Sequence, residues 1–134
     1  MTDQVKLTDR QAELCETNTT DYSDLKAMFI NCTLKRGPER SHTQGLMDIS
    51  MEIMRRNGVG VDHIRAIDHR IATGVWPDMT EHGWEHDDWP GIFERVMAAD
   101  ILVLGSAIWL GEKTSVCTQV SERLYGNSHL LNDA

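Results

Sequence analysis

Thr33, Ser41 and Thr43 are three hydroxyl residues set just beyond the first apolar run of this chain, with Lys35 among them. The run, Leu25-Lys26-Ala27-Met28-Phe29-Ile30-Asn31-Cys32, empties into the polar loop Thr33-Leu34-Lys35-Arg36-Gly37-Pro38-Glu39-Arg40, and a helix opens at Ser41. A buried strand that feeds such a loop and then a helix N-terminus suits an anion, because free backbone amides and the helix dipole both favour negative charge there. In this reading Thr33, Ser41 and Thr43 donate hydroxyl hydrogens, Lys35 supplies charge, and the backbone amides near His42 complete the cradle. Charge-assisted hydrogen bonds of this kind are the strong ones, so the pattern points to a phosphate-bearing ligand.

The elements that must position these groups are legible from spacing. Ser41 and Gln44 have capping-box spacing, Leu46, Ile49, Ile53 and Met54 recur at helical intervals, and Arg55-Arg56-Asn57-Gly58 is a dipole-matched stop. Val59 to Asp68 alternates weakly, as an edge strand with one wetter face would. Ile71 to Pro90 is an acidic, aromatic loop holding Trp76, Trp84 and Trp89, and a helix starts at Asp87-Asp88-Trp89-Pro90 with Ile92, Phe93, Val96 and Met97 as its buried stripe. Ala99 to Gly105 shows no alternation, which predicts a central parallel strand covered on both faces. Its exit, Ser106 to Gly111, then lies at the crevice where α/β sheets hold ligands, ahead of a helix over Thr114 to Tyr125 with Val116, Val120 and Leu124 inward. Strands alternating with helices predict an α/β protein with a parallel sheet between helical layers.

Composition narrows the classes of function. A net charge of −8 disfavours nucleic acid or an anionic membrane as main partner, and no apolar run approaches the roughly 20 residues of a membrane span. Cys15, Cys32 and Cys117 show no CxxC spacing, so neither a disulfide framework nor a zinc site is indicated, and free thiols fit a reducing, cytoplasmic setting. Glu81, His82, Glu85, His86, Asp87 and Asp88 form the one cluster with metal-ligating side chains, but Gly83 interrupts it and no HExxH pattern exists. It is read as a solvated acidic loop with no metal. Residues 1–24 are polar and predict a mobile tail or an arm that packs on a partner, ahead of a single domain over 25–134.

Two segments together resemble the NADPH-dependent FMN reductase family of NAD(P)H-dependent oxidoreductases, which has the flavodoxin-like fold. One is Asn31-Cys32-Thr33-Leu34-Lys35 followed by Ser41-His42-Thr43, similar to the loop that wraps the FMN phosphate. The other runs from Asp87-Asp88-Trp89 through Ile92 to Trp109 and resembles the family's acidic pair, short helix, Ala-Asp step, strand and flavin loop. No GxGxxG follows the first strand and no GxxxxGK[ST] exists, which removes the usual support for dinucleotide-fold and P-loop readings.

The resemblance implies FMN held at its phosphate by Thr33, Lys35, Ser41, His42 and Thr43. It implies a ring loop of Ser106, Ala107, Ile108, Trp109, Leu110 and Gly111, with Trp109 over the isoalloxazine. The implied activity passes electrons from NADPH or NADH through FMN to a small acceptor such as a quinone or free flavin, in a homo-oligomer. No acid/base pair is required of the protein, since hydride chemistry belongs to the cofactor. Arg36 and Arg40 are surface charges or contacts to the 2′-phosphate of NADPH. Ala107 stands where the family has Pro, and Trp109 where it has Tyr. Flavodoxin-like sheets have five strands in the order 2-1-3-4-5. This sequence reaches the third strand and its helix, so it is expected to be either the N-terminal portion of a longer flavodoxin-like protein or a chain completed by a partner, with an exposed apolar edge. The alternative reading is a flavodoxin-like electron carrier, or a binding module with no turnover.

Overall fold

The five residues from Ala27 to Asn31 are each no more than 1% exposed, and that burial on both faces makes their strand the centre of the sheet. In the computed structural model, which describes residues 5–131, β1 (Lys26–Asn31) lies between β2 (Gly60–Arg65) and β3 (Ile101–Gly105). All pairings are parallel and the order is β2-β1-β3. Ala27 stands opposite Val61 and Ile101, and Ile30 opposite Ile64 and Leu104. This is the order of the first three strands of a flavodoxin-like sheet.

Helix α2 (His42–Arg56) covers one face, where Met47 and Met51 pack on Ala27 and Phe29. Helices α3 (Trp89–Met97) and α4 (Ser115–Tyr125) cover the other, where Trp89, Ile92, Cys117 and Val120 meet Met28 and Ile30. The result is a three-layer α/β fold, as the alternating pattern predicts. Among the described residues, no helix is long and apolar enough to cross a membrane.

Several elements depart from the sequence reading. The polar stretch expected to be a mobile tail or a partner-bound arm contains α1 (Asp9–Thr17), opened by a capping box between Thr8 and Gln11. It docks on α2 through Asn57, which donates to Cys15 Sγ at 3.7 Å and accepts from Asn18 Nδ2 at 2.6 Å. Strand β2 ends at Arg65, and Ala66–Asp68 form a 3-10 turn. Trp89 is fully buried on α3 and donates from Nε1 to Asn127 Oδ1 at 3.0 Å, whereas Met97, expected inward, is 60% exposed. Strand β3 lacks the cover on both faces that its unbroken apolar run predicts and stands as the exposed apolar edge expected of a sheet that reaches only its third strand. Its residues are partly exposed, because nothing among the described residues pairs on its outer side. Cys32 and Cys117, distant in sequence, share one buried cluster, and burial together with the neighbouring Cys117 thiol pushes the Cys32 thiol up to about 12.

Candidate functional site

The first loop is organised by a residue that carries no charge and sits wholly inside. Asn31, the last residue of β1, accepts at Oδ1 from the Thr33 amide at 2.9 Å. From Nδ2 it donates to Gln44 Oε1 at 2.9 Å and toward Ser41 Oγ at 3.5 Å. One side chain thereby brings together the start of the loop and the start of α2. Ser41 is the N-cap, with its Oγ accepting from the Gln44 amide at 3.1 Å. The expected capping box is half formed. The Gln44 side chain turns instead to Asn31, to Asp48 Oδ1 at 2.8 Å and to His63 Nε2 at 3.1 Å. Burial pushes the His63 imidazole below its ordinary value, and Arg55 and Arg65 act in the same direction against Asp48 and Asp62.

The donors that remain define what this end of the fold can hold. Thr33 Oγ1 accepts from the Lys35 amide at 3.2 Å, and both Thr33 and Ser41 are buried. Among the described residues, the hydroxyl hydrogens of Thr33, Ser41 and Thr43 and the amide hydrogens of His42 and Thr43 meet no acceptor. Lys35 is placed differently from expectation, since its Nζ donates to the Arg40 carbonyl at 3.2 Å and so closes the loop on itself. Arg65 reinforces that closure by donating to the carbonyls of Lys35 and Glu39 at 3.0 and 2.8 Å. A rigid loop with uncommitted hydroxyl and amide hydrogens at a helix N-terminus fits an anionic oxygen cluster.

The second loop joins the first across the ends of β1 and β3. The Cys32 amide donates to the Gly105 carbonyl at 2.8 Å. Thr114 Oγ1 donates to the Cys32 carbonyl at 2.7 Å while accepting from the Cys117 amide at 3.0 Å as the N-cap of α4. Ser106 Oγ takes the Thr114 amide at 3.0 Å and donates to the Ala107 carbonyl at 2.8 Å, which pins the loop base. Gly105 permits the approach of α2: a Cβ there would stand 2.5 Å from Met47 Sδ and 2.9 Å from Thr43 Cγ2. Thr43 therefore lies over the end of β3.

The stretch expected to be an open loop is a two-residue β-hairpin. Its strands are β4 (Ile108–Trp109) and β5 (Glu112–Lys113), turning at Leu110 and Gly111, which both have positive φ. Ile108, Trp109 and Leu110 are 72%, 54% and 106% exposed, so the hairpin presents an apolar surface rather than core packing. Of the residues expected to bind, Ser106 and Ala107 form its partly buried base, and Ile108 to Gly111 form its exposed arm.

Two residues that carry this region were missed in sequence. Asn31 ends a buried apolar run, and a polar residue in that place is the signal that pointed to it. Arg123 is the other. It falls three residues after Val120 on the buried stripe of α4, and its side chain is 0% exposed, as is that of Asp87. Its guanidinium donates to both Asp87 oxygens, at 2.9 and 2.8 Å, and to the carbonyls of Ala72, Trp76 and Pro77. Burial alone would raise the Asp87 carboxyl. The bonds from Arg123 and from the Met79, Trp89 and Ala72 amides outweigh it and hold the carboxyl below the usual carboxylate range. Asp87 is thus a buried strut and not part of a solvated loop. Among the described residues, no group of three His, Cys, Asp or Glu side chains is arranged to hold a metal.

The fold defines an α/β protein of flavodoxin-like topology in which the loops after β1 and β3 are joined through Cys32, Gly105 and Thr114. No family model matches the chain. It is 60% identical over 112 residues to the divalent metal cation transporter MntH of Mycobacterium bovis, an alignment that covers 84% of this chain and 16% of that protein. It is 37% identical over 105 residues to the 8-demethyl-8-aminoriboflavin-5′-phosphate synthase of Streptomyces davaonensis, covering 75% of this chain and 41% of that enzyme. Among solved structures, RosB with its bound intermediate 8-demethyl-8-formylriboflavin-5′-phosphate matches with a TM-score of 0.67 and 37% identity, over 75% of this chain and 42% of that one. The chain spans less than half the length of each of these proteins.

Proposed function

We propose that this chain binds the 5′-phosphate of FMN, or of a close derivative, between the loop after β1 and the hairpin after β3. The observation that carries the reading is the set of hydroxyl and amide hydrogens at Thr33, Ser41, His42 and Thr43 with no acceptor among the described residues, near the ends of β1 and β3. The bound riboflavin phosphate in RosB supports it. Thr33, Ser41 and Thr43 hold the phosphate, Lys35 holds the loop, and the exposed Trp109 covers one side of the ring while the amides of Ile108, Leu110 and Gly111 face its edge. When bound, the flavin supplies the hydride and electron chemistry, and the protein orients it.

The reaction we assign to the protein in which this chain works is transfer of electrons from NADPH or NADH through FMN to a small acceptor. The protein acts as a homo-oligomer in the cytoplasm. A second reading, favoured by the 37% identity to an enzyme named as a synthase of an aminated riboflavin phosphate, makes the flavin the substrate instead.

Fluorescence titration with FMN and riboflavin tests the site, with tighter binding of FMN expected. Equal affinity for the two, or binding of neither, refutes the phosphate reading. Anaerobic mixing of the FMN-loaded protein with NADPH separates the reactions. Bleaching of the flavin supports the reductase. Bleaching only by a one-electron donor supports an electron carrier. A flavin whose mass changes at the 8-position during incubation supports the substrate reading.

A further inference from the structure

The buried side chains between β1 and α2 admit one polarity. A backbone N–H can only donate, so the Thr33 amide fixes Asn31 Oδ1 as its acceptor. Asn31 Nδ2 is then the donor to Gln44 Oε1 and toward Ser41 Oγ. With Gln44 Oε1 accepting, Gln44 Nε2 donates to Asp48 Oδ1, and His63 Nε2, 3.1 Å from the same Oε1, must carry a hydrogen. Ser41 Oγ receives the Gln44 amide as well, so both of its acceptor positions are filled. Ser41 is 6% exposed, and its hydroxyl hydrogen has no acceptor among the described residues. The hydroxyl hydrogen is left to donate outside these bonds.

We propose that Asn31 and Gln44 are the positioning residues of the anion site, making the Ser41 hydroxyl an obligate donor to a ligand phosphate oxygen. This rests on the reading that the site takes a flavin phosphate. The two residues act through Ser41, and His63 closes the chain of bonds at the surface.

A double-mutant cycle on the full chain tests it, with FMN and riboflavin as probes. Gln44→Leu keeps the size of a partly buried helix residue and removes its side-chain bonds to Asn31, Asp48 and His63, while its backbone amide still donates to Ser41. It is expected to weaken FMN binding by up to about tenfold, because Asn31 is no longer anchored and the Ser41 donor is no longer held in place against the charged acceptor. Riboflavin, which lacks the phosphate, should bind Gln44→Leu and the parent equally. In a Ser41→Ala background the same change should add nothing. Equal losses for FMN and riboflavin, or additive losses in the double variant, overturn the proposal. An FMN preference in Gln44→Leu as large as the parent's overturns this inference and leaves the phosphate reading standing, whereas a parent protein with no FMN preference refutes that reading as well. Ring 15N shifts of His63 test the network without ligand. A hydrogen on Nε2 is expected in the parent, and a neutral ring with its hydrogen on Nδ1 overturns the assigned polarity.

Discussion

The loop over residues 33–41 and the loop over residues 70–88 both leave the carboxyl end of the sheet, and both are polar and rich in charge. In the second, the polar groups answer one another, with the exception of Arg123 Nε, which is buried without a partner among the described residues. Asp87 accepts from Ala72, Met79, Trp89 and Arg123, Asp88 accepts from the Arg70 amide at 2.6 Å and from His86, and Arg123 serves three carbonyls besides. In the first, the acceptors are filled from within, by Asn31, Lys35 and Gln44, while hydroxyl and amide hydrogens are left over. The contrast separates a loop whose polar hydrogens are almost all spent within the protein from one that keeps several unspent among the described residues. Composition does not make that distinction, because both loops contain the residue types of a binding site. The direction of each hydrogen bond makes it.

The comparison breaks most visibly at Arg123. Arg123→Ala leaves the Asp87 carboxylate buried without its partner, and breaking such a pair costs about 3–5 kcal/mol, readable as a lower midpoint in denaturant unfolding. The same pair sets the acid limit. The Asp87 carboxyl lies below its unfolded value of about 3.9, so its contribution is complete above that pH and is lost as pH falls through the lower folded value. Asp87→Asn should remove that part of the acid-unfolding profile. A parent whose stability does not change on acidification below pH ~4 would show that the strut carries no net energy.

Ser41→Ala should behave in the opposite way. Loss of a donor to phosphate weakens FMN binding about tenfold to a hundredfold, while loss of the N-cap costs only about 1 kcal/mol of stability. Isothermal titration and thermal melts of one variant give both numbers. Trp109→Ala should act more mildly, with a loss of about 0.5–1.5 kcal/mol that falls equally on FMN and riboflavin, because an aromatic contact with the ring ignores the phosphate. The smallest effect is expected at His82, which stacks on Trp76 at 4.6 Å between ring centres on an exposed surface. His82→Ala should shift stability by about 0.5 kcal/mol or less and leave flavin titrations unchanged.

Much of the scaffold was legible because its signals are local. The period of α2, its Ser41 cap and its Asn57-Gly58 stop all lie within a few residues of the groups they serve, and the observed helix, His42–Arg56, follows them. The unbroken apolar run before Asn31 could only be a strand buried on both faces. The misses lie where contacts are long-range. The hairpin at 108–113 depends on positive φ at Leu110, a residue type that gives no turn signal. The structural role of Asp87 depends on Arg123, thirty-six positions away. On α3 it is Trp89 and Ile92 that are buried, with Trp89 bonded to Asn127, thirty-eight positions away, while Met97 at the end of the helix is exposed.

By itself, the sequence determined the order of strands and helices, the parallel sheet and the placing of a hydroxyl-rich loop at a helix N-terminus. Those follow from side-chain period, capping chemistry and the exclusion of polar residues from a doubly covered strand. The tertiary structure alone decided which polar groups satisfy each other and which remain free. That outcome depends on distances between segments separated by tens of residues, as from Asn31 to Ser41 and Gln44, from Gln44 to His63, from Thr114 to Cys32 and from Arg123 to Asp87. A hydrogen bond requires its two atoms within about 3 Å in the folded chain, and no spacing in the linear sequence specifies that.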